Sequence, residues 1–300
     1  MSLRDTLLAL LVMMVWGANF VAIKIGVDSV PPLLLTGLRF VFTALPALVF
    51  LRRPAAPWHL IALFGFLLGV VKFGMVFSAV KLGMPAGLTS LLMQLQVFFT
   101  LGLAALVFGE RPSRMQALGA AIAFCGIGIF VAERVQGALP MLPFLMVIGA
   151  AFAWGCANMA IKKAGRVDML AFLVWSSLFS PLPLFLLSYL IEGPAAMLAA
   201  LAPPRLDAVL ALAFIVGPST LFAFAMWNGL LARYPTSQVA PFALLVPVFG
   251  ILSGALLLDE PFTGLAMLGS GIVFAGLLIN VLGDRLAVRL RRSRAMVAPE

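Results

Sequence analysis

Trp16-Gly17-Ala18-Asn19, with Lys24 eight residues after the tryptophan, lies inside an apolar run from Leu7 to Ile25. A run of about 20 such residues crosses a bilayer once as a helix. A tryptophan and an asparagine in the middle of that crossing find no water for their polar groups, so they must turn to protein or to a wet cavity. The pattern returns at Trp154-Gly155-Cys156-Ala157-Asn158, with Lys162 again eight residues after the tryptophan. The echo falls near the start of the second half of the chain and points to two copies of one helical unit.

Composition gives the same class. The 300 residues are 63% hydrophobic and 10% charged, with a mean hydropathy of +1.15. Soluble domains carry about 25% charged residues, so there is too little polar surface here to solvate a globule. The net charge of +9 could point to nucleic acid, but its distribution along the chain points to membrane topology. Cys125 and Cys156 both fall inside apolar segments and read as small packing residues, with no disulfide framework and no metal spacing. Arg4 followed by a long apolar run without a small-residue cleavage site reads as a retained first helix.

Ten apolar segments follow one another, at 4–26, 33–51, 58–80, 86–108, 114–132, 141–163, 169–190, 206–230, 236–258 and 263–283. Turn residues separate them, at Pro31-Pro32, Arg53-Pro54, Pro85, Glu110-Arg111-Pro112, Gly137, Pro203-Pro204, Pro235 and Glu260-Pro261. From Asp284 the chain is basic and reads as a frayed tail. With the N-terminus inside, the cytoplasmic set is Arg4, Arg52, Arg53, Arg111, Arg114, Lys162, Lys163, Arg166, Arg233 and the arginines of the tail. The outer loops keep Lys81, Arg134 and Arg205 beside Asp28, Glu133, Glu192, Asp207, Asp259 and Glu260. That bias places both termini in the cytoplasm. Five helices per half then make the halves inverted copies, with Lys24 near the outer face and Lys162 near the inner one.

The later helices repeat at a constant offset. Pro85 matches Pro235, Glu110 matches Glu260, Gly119 matches Gly269, Phe124 matches Phe274 and Gly126 matches Gly276. The tryptophan pair uses a shorter offset, which places an insertion in the second half, in the stretch from Glu192 to Pro204. The expected fold is therefore an all-α membrane protein. Its ten transmembrane helices form two inverted five-helix repeats, residues 1–136 and 137–284, and residues 285–300 form a basic cytoplasmic tail.

A set of motifs carries a family resemblance. They are Val15-Trp16-Gly17-Ala18-Asn19-Phe20 with Ile23-Lys24, Gly37-Leu38-Arg39-Phe40, Gly83-Met84-Pro85-Ala86-Gly87-Leu88, Gly109-Glu110-Arg111, Trp154-Gly155 with Asn158, Arg233-Tyr234, Ala240-Pro241, Leu245-Val246-Pro247-Val248 and Asp259-Glu260. On these the chain resembles the drug/metabolite transporter superfamily and, within it, the EamA-type bacterial exporters. It is similar to the exporters of O-acetylserine and cysteine and to those of aromatic amino acids. The resemblance covers essentially the whole chain. It implies a ten-helix, pseudo-symmetric carrier of the bacterial inner membrane with a central cavity.

Three cations lie in or at the edge of the membrane: Lys24, Arg39 and Lys72. Each is expensive in lipid and must face an interior or a cavity. Lys72 and Gln94 each lie roughly 12 Å below the outer ends of their helices, at 1.5 Å per residue. They can meet there, Lys72 either binding a substrate carboxylate or serving as a structural lysine. Lys24 and Arg39, near the outer interface and Asp28, read as gating or structural charges. No Asp or Glu lies deep in a predicted helix, which argues against a carrier of lipophilic cations and removes the simplest proton-coupling group. His59, Trp58 and Tyr234 read as interfacial residues.

The remaining candidates are Trp16, Asn19, Gln96, Trp154, Asn158, Trp175, Thr220, Trp227 and Gln238, with Ser176, Ser177 and Asn228 beside them. Trp16 with Asn19, and Trp154 with Asn158, share a helix face; each face is either packing glue or cavity lining. Gly217, Pro218, Pro241 and Pro247 read as helix breaks, as do Pro181 and Pro183, since proline removes a helical hydrogen bond. Gly119, Ala123 and Gly126, with Gly269 and Gly276, read as a packing seam within or between subunits. Glu110 and Glu260 read as helix-start caps.

These readings converge on an inner-membrane exporter of amino acids and related small zwitterionic metabolites, working by alternating access, with no cofactor and no metal. Its partners are the small-molecule substrate and the lipid bilayer, with no nucleic acid; the oligomeric state stays open, a monomer being the working reading. The alternatives are a carrier of another small organic anion, phosphorylated sugar or drug-like metabolite, a channel, and a membrane-embedded enzyme. The last lacks HExxH, GxSxG, CxxC or paired intramembrane carboxylates.

Overall fold

The fold is all-helical among the described residues of the computed structural model, which are 1–135, 140–165, 167–201, 203–260 and 263–297. For 46, 47, 130–135, 236, 237, 266 and 284–297 the backbone alone is described. The turns assigned to Gly137 and Pro261, and the position of Arg166, lie outside the described residues. The main helices are α1 (Leu3–Ser29), α2 (Pro32–Leu48), α3 (Trp58–Lys81), α4 (Ala86–Phe108), α5 (Arg114–Val135), α6 (Met141–Ala164), α7 (Met169–Glu192), α8 (Leu206–Arg233), α9 (Ala240–Leu258) and α10 (Gly264–Val297). Seven of them (α1, α3, α4, α6, α7, α8 and α9) are long and apolar enough to cross a membrane. In α2, α5 and α10 the apolar parts are shorter, at Pro32–Leu45, Arg114–Ile129 and Met267–Gly283.

Local sequence explains the ends. Ser2 caps α1 by accepting from the Asp5 amide, and Asp168 caps α7 by accepting from those of Leu170 and Ala171. The Glu192 carboxylate accepts from the amides of Leu33 and Leu34, and that of Glu260 from the amides of Ala86 and Gly87. An anion at those helix starts satisfies free N–H groups and opposes the helix dipole. Glu260 is thus a helix-start cap, but of α4, across the fold, and not of the helix that follows it. Two further details differ from the sequence reading. A helix of eight residues, Pro194–Leu201, fills the expected insertion. The last helix runs on to Val297 through the stretch read as a frayed tail.

The chain forms two compact units, Met1–Leu103 with Pro140–Pro261, and Ala104–Leu139 with Phe262–Glu300. In the smaller unit, α5 and α10 pack backbone to backbone. A Cβ on Gly119 would stand 2.5 Å from the Gly276 carbonyl, and one on Gly276 would stand 2.5 Å from the Gly119 carbonyl. Asn280 Nδ2 closes the seam by donating to the Gln116 carbonyl. The small-residue stripe therefore works within the chain.

The larger unit holds its core between helices that are apolar all round. α1 buries Ala9, Val12, Met13 and Ile23 completely, yet leaves Leu3, Leu7, Leu11 and Met14 exposed. Leu182 and Leu256 are 78% and 77% exposed. A helix surface as apolar outside as inside belongs in lipid.

Beside α7, which carries a 3₁₀ turn at Ser177–Phe179 and a π turn at Ser188–Glu192, four helices are distorted in two similar pairs. α3 widens to a π-helix over Phe66–Phe73, and α8 does so over Ile215–Phe222, around Pro218. α4 tightens to a 3₁₀ turn at Met93–Leu95, and α9 at Ala240–Leu244, which contains Pro241. α4 also ends on Gly109 at φ 68, and α9 on Asp259 at φ 50. In both, the next amide, of Glu110 or Glu260, reaches back to the carbonyl of Ala104 or Gly254. Pro247, by contrast, sits buried within the regular part of α9. Such wide and tight turns leave backbone groups and side chains out of helical phase, and they gather at functional sites.

Candidate functional site

The larger unit encloses a cavity of about 400 Å³. That falls in the range of small-molecule sites, roughly 300–1,000 Å³. It is lined by eight of the residues read as substrate-binding: Trp16, Asn19, Lys72, Gln94, Gln96, Trp154, Asn158 and Trp227. Trp175, Thr220 and Gln238 are not among the lining residues. The Trp175 indole donates to the Leu51 carbonyl and meets Trp58 edge-on at 6.0 Å. Thr220 is buried behind the lining, and Gln238 is exposed. Ser176 and Ser177 both donate to the Leu173 carbonyl.

The distorted turns build the lining. Lys72 stands on the π-helix of α3, its ammonium 4.0 Å from the Phe73 ring centre and 4.2 Å from that of Trp154. Cations over such faces gain electrostatic energy from the ring quadrupole. Gln94, on the 3₁₀ turn of α4, donates to the Ala243 carbonyl on the 3₁₀ turn of α9. The Trp16 indole donates to the Ser219 carbonyl on the π-helix of α8, and its ring meets Phe224 and Trp227 edge-on. Asn158 donates to Gln96 and to Thr100. Asn19 is buried, and its Oδ1 has no hydrogen-bond partner.

The two WG motifs also explain their glycines. Gly17 admits α9, since a Cβ there would stand 2.5 Å from Phe249 Cβ. Gly155 admits α4, its Cβ meeting Phe99 Cβ at 3.1 Å.

Arg39 is where the structure departs most from the sequence reading. It is not at the outer interface but buried, only 3% exposed, and part of the cavity lining. Its guanidinium lies 3.7 Å from the Phe73 ring centre and donates through Nη2 to Thr220 Oγ1 at 3.1 Å. Thr220 in turn donates to the Ile215 carbonyl, a group that the wide turn of α8 leaves within reach. The signal was present in the sequence: Arg39 lies seven residues into α2, roughly 10 Å deep at 1.5 Å per residue. Lys24, by contrast, pairs with Asp28 near the end of α1. Sequence reasoning also passed over Phe64, Phe73 and Phe224, which are aromatic lining residues indistinguishable by type from the many other phenylalanines.

Among the described residues the charged lining of the cavity is Arg39 and Lys72, with no carboxylate. Among the described residues no group of three or more His, Cys, Asp or Glu is placed to hold a metal. The cavity reaches Met169, at the start of α7, and Leu231, near the end of α8. The opposite helix ends carry a buried apolar layer of Val27, Val80, Met84 and Leu88. Lys81 braces that layer by donating to the Val27 carbonyl. At the other end of α1, Asp5 accepts from Tyr234 and pairs with Arg233.

The profile of the EamA-like transporter family matches residues 4–132 and 141–282. A relative from Escherichia coli K12 described as a probable amino-acid metabolite efflux pump is 42% identical over 290 residues, 95% of this chain and 97% of its own. One from Salmonella typhimurium with the same description is 42% identical over 291 residues, with the same coverage of both chains. An uncharacterized inner membrane transporter of Escherichia coli K12, YedA, is 26% identical over 91% of this chain and 89% of its own. A solved crystal structure, 21% identical, superposes with a TM-score of 0.59 over 93% of this chain and 97% of that one, and shows the same fold.

Proposed function

Since the chain belongs to the EamA-like transporter family, we propose that it exports amino acids and related small zwitterionic metabolites through the cavity of its larger unit. It is a multi-pass membrane protein and a transporter, not an enzyme. The observation that carries the substrate reading is Lys72, a cation held between two aromatic rings in a cavity lined by no carboxylate. A substrate carboxylate supplies the missing counter-charge, and a charge-assisted hydrogen bond counts for more in such a site than in water. Two relatives described as probable amino-acid metabolite efflux pumps support the same class.

The architecture we propose is ten crossings in two inverted repeats, residues 1–136 and 137–284, with the tail 285–300 and both termini in the cytoplasm. Its support is the pairing of the π turns of α3 and α8, of the 3₁₀ turns of α4 and α9, and of the left-handed residues Gly109 and Asp259. Exchange between two states in which opposite ends of the cavity open completes the reading. A C-terminal alkaline phosphatase fusion is expected to be inactive and a C-terminal fluorescent protein to be bright; the reverse pair contradicts the topology.

Function is tested in proteoliposomes with a panel of labelled amino acids, with and without a proton gradient. Amino acids are expected to move down their own gradients. With no carboxylate in the lining to bind and release a proton, a pH gradient alone is expected to drive little accumulation. Strong uphill accumulation on a pH gradient rejects that coupling, and no saturable flux of any amino acid rejects the function.

A further inference from the structure

We propose that Arg39 makes the cavity a selector of net charge, favouring amino-acid derivatives that carry one more negative than positive charge. This rests on the reading of Lys72 as the carboxylate partner and goes beyond it, because one lysine would suffice for a zwitterion.

Arg39 and Lys72 share the ring of Phe73, at 3.7 Å and 4.0 Å from its centre. Two like charges on one ring repel when shielded from water, and no acid among the described lining residues offsets them. The arrangement is nevertheless built and not incidental. The π turn of α3 presents Lys72, and the π turn of α8 presents Thr220, which accepts from Arg39 and donates to the Ile215 carbonyl. Arg39 Nε and Nη1 are buried without a hydrogen-bond partner. Unpaired donors on a buried charge are costly, and a net negative ligand in the cavity offsets that charge.

Net charge then decides among ligands. A zwitterion brings one carboxylate and one ammonium, so it adds no net negative charge and places a third cation in the cavity. Blocking the amine removes that cation, and a second acid group offsets it; each leaves a net anion for the two fixed cations. An amide of the same amino acid brings only a positive charge and is repelled.

The test is displacement of bound labelled amino acid from purified full-length protein by alanine, N-acetylalanine, aspartate and alaninamide. The two net anions are expected to bind about tenfold tighter than alanine, the equivalent of one strong polar contact, and alaninamide not to compete. In Arg39→Gln the advantage is expected to shrink to about threefold or less, and Arg39→Lys is expected to restore it. An advantage confined to aspartate or to N-acetylalanine overturns selection by net charge, since the two carry the same net charge. Equal binding of alanine and both anions by the wild type overturns the proposal, whether or not Arg39→Gln folds. If alanine binding is lost in Lys72→Met while the wild-type ranking is flat, the selector fails and the carboxylate site stands. If Lys72→Met binds alanine as well as the wild type, the carboxylate site itself fails.

Discussion

Lys72→Met is expected to leave a folded protein in the membrane that moves amino acids ten- to a hundredfold more slowly. The loss corresponds to a charged hydrogen bond, roughly 1.5–3 kcal/mol. Folding is spared for a physical reason. Burying an ammonium costs free energy unless it is paired, and the structure pairs Lys72 with rings and not with an acid. Methionine keeps the length and the contact with Phe73 and Trp154, since a thioether packs well on aromatic faces. It also removes the repulsion from Arg39. The expected pattern is therefore a protein of unchanged or higher thermal stability with impaired transport. The check is to measure both on the same purified sample. Full transport, or loss of folded protein, assigns Lys72 to the scaffold.

Gly17→Leu is expected to give no folded protein at all. A Cβ at residue 17 would stand 2.5 Å from Phe249 Cβ, 2.7 Å from the Gly250 nitrogen and 2.8 Å from the Phe249 carbonyl carbon. Two of these atoms belong to the backbone of α9, which has no rotamer to change. Nor can α9 retreat, because Gly250 is itself pressed against Ser90 of α4. Overpacking by a methylene or two already costs about 1–3 kcal/mol, and leucine adds four carbons to a contact with no free space. Gly155→Ala is the control. Its nearest contacts are 3.1–3.3 Å, a few tenths of an ångström too close, and the gain of about 1 kcal/mol in helix propensity offsets the strain. Size-exclusion chromatography of fluorescent fusions separates the two. A sharp peak for Gly17→Leu would show that α1 and α9 are less tightly fitted than described here.

Much of the site was legible because a few polar residues stand out against apolar helices. Trp16, Asn19, Trp154 and Asn158 were found from the repeat, and Lys72 and Gln94 from their depth along a helix; all six line the cavity. What sequence could not supply was rotation about the helix axis. A π turn inserts one extra residue, which moves everything after it by about 100° around the helix. Thr220 lies within such a turn, so its facing does not follow from spacing along α8, and it supports Arg39 from behind the cavity wall. Gln238 was counted within a helix, but the chain there is a single helical turn before the 3₁₀ stretch of α9. Residue type alone points Trp175 to the site, whereas its indole serves the Leu51 carbonyl. Nearness to Asp28 in the chain points Arg39 to the interface. Depth was the better guide, because a buried arginine follows aromatic rings and hydroxyl acceptors, here Phe73 and Thr220.

The account stands on the recognition of a carboxylate by this cavity, and equilibrium binding to the purified wild-type protein tests it most directly. Phenylalanine and phenylalaninamide share a side chain and differ in the carboxylate. Titrated in parallel by calorimetry, the acid is expected to bind saturably and the amide to give no measurable heat of binding. Equal affinities for the two would contradict the account.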